Sequence, residues 1–262
     1  MPRGNKKAFI QDQELITYKI SENIDGYVCQ SNELVNTKQN LKLNSAKLVR
    51  AAIMQISKED TEIKPYLLTI KEISQLLGIS ESNLYRDARA IANDIIQNPI
   101  YIKREEHGKI QWCLIPWVKL CSYDSDVGFI IQLNDALMPY LINLREKYEQ
   151  YNYENIMAMK SSMTIRIFEL IQSVIYCKLL PKCGVYVTIP ISKMRECLDC
   201  ENKYLEFSNF KARVIDTAVK EINRVTLYRV SYDVIKKGRA ADKIKFYVNM
   251  VYNIVENKET CL

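Results

Sequence analysis

The sequence predicts an α+β protein of two tandem winged-helix domains, each a helix-turn-helix with a β-hairpin wing, related to one another by internal duplication. Three observations carry that prediction. Residues 207 to 250 read as an amphipathic helix followed by two alternating strands around the turn Lys236-Lys237-Gly238-Arg239. Another helix-turn-helix pattern stands between residues 69 and 95. The order helix, helix-turn-helix, hairpin then occurs twice, over residues 44 to 133 and from 162 to 250.

In the C-terminal stretch Phe210, Val214, Ala218 and Ile222 fall at i, i+4, i+8 and i+12, one apolar face, while Asn209, Arg213, Thr217, Lys220 and Arg224 share another. Tyr228, Val230, Tyr232 and Val234 then alternate with Arg229, Ser231 and Asp233, and Ile244, Phe246, Val248 and Met250 alternate with Lys243, Lys245, Tyr247 and Asn249. The hairpin tip carries Lys236, Lys237 and Arg239. From residue 208 to 245 there are ten Lys or Arg and four Asp or Glu, a net +6 that equals the formal excess of the whole chain. Charge so concentrated argues for an anionic polymer partner, and a basic helix followed by a basic-tipped hairpin looks like a winged-helix reader of double-stranded DNA. Residue chemistry assigns Asn209, Lys211 and Arg213 to base edges, and Lys220, Arg224, Lys236, Lys237 and Arg239 to phosphates.

The first unit gives weaker signals of the same kind. Thr69 and Glu72 form a capping box, the helix they open carries Ile73, Leu76 and Leu77, and Gly78 stops it. Ser80 caps a second helix with Leu84, Ala88, Ile91 and Ile95 on its inner face and Asn83, Arg86 and Arg89 pointing outward as DNA-contacting candidates. Ahead of this pair, residues 27 to 36 read as an extended segment. A helix capped near Asn44 or Ser45 follows it. Behind it, Asn98-Pro99 leads into a hairpin that pairs Ile100 and Ile102 with Ile110, Trp112 and Leu114 around a turn at residues 105 to 109. Strand-like runs at 117 to 123 and 128 to 133 precede a short helix from Asp135 through Leu144.

The second unit opens with a helix over residues 164 to 178 that buries Ile167, Phe168, Leu170 and Ile171. A strand over 184 to 189 and a helix capped by Ser192 follow. The expected division is a flexible basic arm at 1–26 bearing Arg3, Lys6 and Lys7, a first winged-helix domain at 27–147, a Tyr-rich linker at 148–160, a second domain at 161–255 and a tail at 256–262. The linker tyrosines, Tyr151 and Tyr153 among them, are expected to pack between the domains.

Composition excludes several classes of function. The chain has 262 residues, 48% of them hydrophobic, with seven Gly and seven Pro, so it reads as folded nearly throughout. It holds no run near the roughly 18 apolar residues a membrane span needs, and a cytoplasmic location is expected. The eight cysteines read as reduced thiols. Cys197-x-x-Cys200 is the one close pair with metal-ligand spacing, and zinc would have to recruit Cys177, Cys183 or the single His107 from afar, so no metal and no cofactor is expected. There is no G-x-x-x-x-G-K-[ST] loop to cradle ATP.

Over residues 27 to 251 the sequence resembles the iteron-binding replication initiators of theta-replicating plasmids. The resemblance is strongest from Tyr204 to Asn223, similar to the family's F-K-R-R-V-L and A-I-x-E-I-N pattern, and continues through Lys236-Lys237-Gly238-Arg239. Residues 162 to 170 resemble its S-x-x-I-R-L-Y-E-L helix, with Phe168 where Tyr is common, and Gln30-Ser31-Asn32-Glu33-Leu34 resembles its Q-S-N-x-L opening. Ala212 stands where the family often has Arg, and Ile215 where it often has Leu. The resemblance implies binding to origin repeats, melting of neighbouring AT-rich DNA, recruitment of host replication proteins such as a helicase or an initiator, and a monomer that initiates alongside a homodimer that represses. No heptad or apolar stripe in the sequence marks a dimer surface.

Two alternatives remain open at this level. A winged-helix transcriptional repressor needs the same grip on DNA without opening it. A nicking initiator or relaxase with a Tyr nucleophile needs a metal held by a His pair, and the chain has one His. Residues 68 to 104 of the first unit carry five cations against four anions, so the C-terminal unit is expected to supply most of the specific affinity, and the first unit phosphate positioning and self-association.

Overall fold

Six α-helices and three small sheets lie between residues 16 and 157 in the computed structural model, which describes residues 16–17, 26–57, 59–175 and 184–250. Arg3, Lys6 and Lys7 lie outside the described residues, as do residues 256–262. The elements begin with β1 (Ile16–Thr17), β2 (Tyr27–Ser31), α1 (Asn32–Val35) and α2 (Leu43–Ile53). The segment expected to be extended through residue 36 therefore turns helical halfway. Ser31 Oγ accepts the Leu34 N–H at 3.2 Å and caps α1. α2 likewise starts before Asn44, at an N-cap Lys42 whose own N–H is accepted by Asp94 Oδ2 at 2.9 Å. That cap comes from a carboxylate 52 residues away, which local spacing could not reveal.

Next come β3 (Tyr66–Thr69), α3 (Ile70–Leu77) and α4 (Glu81–Gln97). Both arms of the Thr69–Glu72 capping box form, and Gly78 closes α3 in the left-handed region at φ 67°, a conformation glycine adopts without a Cβ penalty. Ser80 Oγ accepts the Asn83 N–H to open α4. Leu84, Ala88, Ile91 and Ile95 are buried against α2 and α3, each large apolar chain contributing roughly 1.5–3 kcal/mol.

A hairpin of β4 (Ile100–Glu106) and β5 (Lys109–Ile115) follows, and here the expected pairing is corrected. Ile100 faces Ile115 and Ile102 faces Cys113, whereas Ile110, Trp112 and Leu114 oppose Glu105, Lys103 and Tyr101. His107 and Gly108 form a two-residue turn with φ 51° and 73°, and that turn fixes the register. Because strand side chains alternate, Ile110, Trp112 and Leu114 all fall on the outer face, 58%, 63% and 54% exposed. β6 (Val118–Asp124) and β7 (Gly128–Leu133) complete a sheet ordered β1-β3-β7-β6. The helix expected from Asp135 to Leu144 is a 3-10 turn at Asp135–Leu137 and then α5 (Met138–Leu141), ending three residues early as Ile142 becomes extended.

Residues 148–160 hold β8 (Tyr148–Asn152), antiparallel to β2, and α6 (Glu154–Met157). Tyr151 and Tyr153 are buried, and the Tyr151 ring meets Phe168 edge-on at 5.4 Å. α7 (Ser162–Ile175) leads to β9 (Val185–Pro190) and α8 (Ile191–Cys197). Ser192 does not cap α8. Pro190 occupies the N-cap with no side-chain hydrogen bond, because the helix begins two residues sooner. The expected helix at 207 onward is α9 (Phe207–Phe210), a π-helical stretch at Lys211–Ile215, and α10 (Asp216–Val225). β10 (Tyr228–Lys237) and β11 (Ala240–Met250) pair antiparallel, and β9 adds to β11 on the other side.

One apolar cluster runs through both halves, from Trp117 and Phe129 to Phe168, Phe210 and Phe246. Inside it lies a buried ionic group. Arg50 of α2 forks Glu169 of α7 through Nε at 3.0 Å and Nη2 at 3.0 Å, Arg166 Nη1 reaches the same carboxylate at 2.6 Å, and Tyr151 and Gln30 donate to it at 2.8 and 3.1 Å. Burial pushes the Glu169 carboxyl up, but the two guanidinium groups outweigh it and hold the group down at about 2. Glu149 beside it is fully buried with Oε2 unpartnered, and burial together with the Glu169 charge pushes its carboxyl well above the ordinary range. Arg166 Nη2 also donates to the Val35 and Thr37 carbonyls, and the Gln39 N–H donates to Cys197 O, so residues 35–39 stitch α1 to both α7 and α8. Among the described residues no helix is long and apolar enough to cross a membrane.

Candidate nucleic-acid interface

The outer face of the 207–225 helix is assembled by packing its other side. Phe210, Val214, Ile215, Ala218 and Ile222 are buried, which leaves Asn209, Arg213, Lys220 and Arg224 exposed and Lys211 half-exposed. The π turn is why Val214 and Ile215 can both face inward: the Asp216 N–H bonds the Lys211 carbonyl five residues back. Asn223 ties the helix to the wing, its side chain donating to Val230 O at 2.8 Å and accepting from Val230 N at 2.6 Å. At the wing tip Gly238 has φ 65°, and Lys236, Lys237 and Arg239 are all exposed around it. The structure therefore brings seven of the eight C-terminal candidates onto exposed surface of one helix–wing pair.

Their electrostatics differ. Lys211 Nζ sits 3.0 Å from Asp216 Oδ2 and 5.6 Å above the Tyr232 ring, and the Tyr232 hydroxyl donates to Asp216 Oδ1. The Tyr232 hydroxyl and the Asp216 carboxylate push the Lys211 amine up. Burial alone would raise Asp216, yet Tyr232 and Lys211 hold it below the usual carboxylate range. Arg224 lies 3.6 Å from Glu221, whose Oε1 also accepts the Lys160 N–H at 2.7 Å. Arg213, Lys220, Lys236, Lys237 and Arg239 form no ion pair among the described residues.

On α4 of the first unit Asn83, Arg86 and Arg89 are exposed as expected, beside a Tyr85 ring that is 67% exposed. Arg86 is forked onto the adjacent Asp87 at 2.7 and 3.0 Å, so its charge is locally balanced. His107 lies in the tight hairpin turn and is exposed.

Two features escaped sequence reasoning. Arg195 gathers the carbonyls of Cys200, Lys203, Tyr204 and Leu205 at 2.7 to 3.3 Å and stacks over Phe210 at 4.3 Å, shaping the turn that leads into α9. Asp199 and Tyr204 in that turn adopt left-handed φ of 48° and 53°, a conformation uncommon outside glycine, and no spacing rule flags it. Lys245 lies 4.2 Å from the Tyr186 ring and 5.1 Å from Tyr247 on the outer sheet face, a contact visible only once β9 is paired with β11.

Two helix-turn-helix units in tandem, each with its hairpin and the second with a basic helix and wing, define a tandem winged-helix protein. The winged-helix 1 model of the initiator replication proteins matches residues 27–172, and the winged-helix 2 model of the initiator Rep proteins matches residues 190–248. The chain belongs to the initiator replication protein family. It is 26% identical over 221 residues to the PI protein of Escherichia coli, covering 76% of this chain and 70% of that one. Its fold is similar to that in a crystal structure of the Pi initiator protein in complex with iteron DNA, with a TM-score of 0.67 and 19% identity over 86% of this chain and 98% of that chain.

Proposed function

We propose that this protein binds repeated sites in double-stranded DNA at a plasmid origin, opens the adjoining duplex and recruits host replication proteins. The observation that carries the reading is the exposed basic helix and basic wing tip of the second unit, held as one body by Asn223, in a chain of the initiator family. Asn209, Lys211 and Arg213 would read base edges in a major groove, and Lys220, Arg224, Lys236, Lys237 and Arg239 would grip phosphates. Asn83 and Arg89 of the first unit would meet the next groove, about 34 Å along the duplex. Two linked readers raise the effective concentration of the second contact, which suits a long asymmetric repeat. In this reading the protein is a cytoplasmic DNA binder, and the sequence lacks the His pair a relaxase needs.

Dimerisation is assigned to the β4–β5 hairpin. Ile110, Trp112 and Leu114 form an exposed apolar stripe there, with the Tyr101 ring 6.2 Å from Trp112, on the unit that is less committed to DNA by charge. Footprinting across the DNA around the gene tests the main reading. Protected repeats spaced about two helical turns apart, with both units' contacts visible, are expected. Permanganate reactivity at a neighbouring AT-rich tract is expected on binding. A bound duplex that stays closed, from a gene unable to support replication, would replace this reading with the repressor.

A further inference from the structure

The face formed by the 207–225 helix and the wing contains an anion where a phosphate-gripping face would carry cations alone. Asp216 is 44% exposed in its side chain, and Lys211 42%, so both reach the surface a DNA partner would occupy. Their pairing is built by the backbone. In an α-helix a residue five positions on stands about 140° around the axis and cannot meet its predecessor. The π turn changes that: the Asp216 N–H bonds the Lys211 carbonyl, Thr217 Oγ1 bonds the Ala212 carbonyl at 3.2 Å, and Lys211 and Asp216 come to one side. Lys211 Nζ then lies 3.0 and 3.3 Å from the two Asp216 oxygens, with Tyr232 of β10 beneath the amine and bonded to the carboxylate.

We propose that Asp216, supported by Tyr232, is a specificity-determining residue: it neutralises and orients Lys211, withholding that amine from sequence-independent phosphate contacts and reserving its remaining donor for a base edge. The proposal rests on the reading that this face binds origin DNA. A free lysine would add about 0.9 to the salt slope for each phosphate it neutralises, on any sequence. A lysine paired with a carboxylate carries no net charge to a random duplex, and Asp216 repels phosphates that arrive out of register. The ammonium has three protons, so one bifurcated over the two Asp216 oxygens and one toward Tyr232 leave one to donate to an acceptor such as guanine O6 or N7. The lock also removes rotamer freedom from a long chain before DNA arrives, so less is lost on binding.

The experiment measures dissociation constants on an origin repeat and on a scrambled duplex over a range of salt, for the full chain and for Asp216→Asn, Lys211→Gln and the double variant. Asp216→Asn is expected to bind scrambled DNA several-fold tighter, with a slope steeper by about 1. Its preference for the repeat should fall about tenfold, and adding Lys211→Gln should cancel the gain on scrambled DNA. Lys211→Gln alone should lose about tenfold on the repeat and less than twofold on scrambled DNA. Thermal melting accompanies each variant, and Lys211→Gln carries the test if Asp216→Asn does not fold. Parallel weakening on both duplexes overturns the proposal in favour of a structural role, and parallel tightening overturns it in favour of bulk charge. Absence of any preference in the unaltered protein sinks the origin-binding reading instead, while the slope on scrambled DNA still reports on the Lys211–Asp216 pair.

Discussion

Single residues on this protein separate by what surrounds them. Arg213 and Lys237 are both exposed cations without an ion pair among the described residues, yet one lies on the helix face and the other at the wing tip. Arg213→Ala is expected to cost about 1–3 kcal/mol on the cognate repeat and to relax sequence preference, whereas Lys237→Ala should weaken all duplexes alike and lower the salt slope by about 1. Competition binding at two salt concentrations distinguishes them, and equal loss for Arg213→Ala on both duplexes would remove its base-reading role. Glu149 makes a prediction of a different sign. Its folded carboxyl is raised above the unfolded value, so its ionisation opposes folding: stability is fully present below the unfolded value and is lost as pH rises toward the folded one. Glu149→Gln should therefore stabilise the protein by roughly 1–3 kcal/mol at pH 7, the cost of a buried unpaired acceptor and charge, and the gain should vanish near pH 4. Melting curves at the two values decide it. Glu169 runs the other way, with stability present above the unfolded value and lost as pH falls toward about 2.

At the level of elements, the sequence showed most of what is local. The Thr69 capping box, the Gly78 stop, the Ser80 cap and the C-terminal hairpin tip all follow from spacing, because each depends on residues within one turn of chain. What depended on partners far away was invisible. α2 takes its cap from Asp94, the β4–β5 register follows a two-residue turn that puts three apolar residues outside, and a period of 3.6 or 4 cannot announce a π turn that buries Val214 and Ile215 together. The candidate face was legible because exposed cations recur at helical spacing. Its balance was not, since Lys211 and Asp216 stand at a separation that no α-helical rule pairs. Arg195 clamps the turn between α8 and α9. Removing it leaves four carbonyls of the 200–205 turn without their shared donor, so Arg195→Ala should speed amide exchange from 199 to 210 and weaken cognate binding about tenfold, with the apolar core intact. Unchanged exchange in that turn would mean the arginine does not hold it.

Across the whole molecule, two surfaces of opposite character sit on the two units, an apolar stripe at Trp112 and a cationic face at Arg213. Trp112→Glu is expected to abolish dimers in sedimentation experiments while changing the melting temperature little, because the indole is 63% exposed. A persistent dimer would place the self-association surface elsewhere. Between those surfaces lies the buried Arg50–Glu169 fork, and it has a bearing on how the chain is made. The two partners are 119 residues apart, so when the first unit leaves the ribosome its α2 carries a guanidinium whose carboxylate has yet to be synthesised. A product that stops short of residue 169 leaves Arg50 with Gln39 and the Trp117 ring but no carboxylate, a loss of about 3–5 kcal/mol where a domain's whole margin is of the same order. The first unit is thus expected to reach its full stability only once α7 has been made.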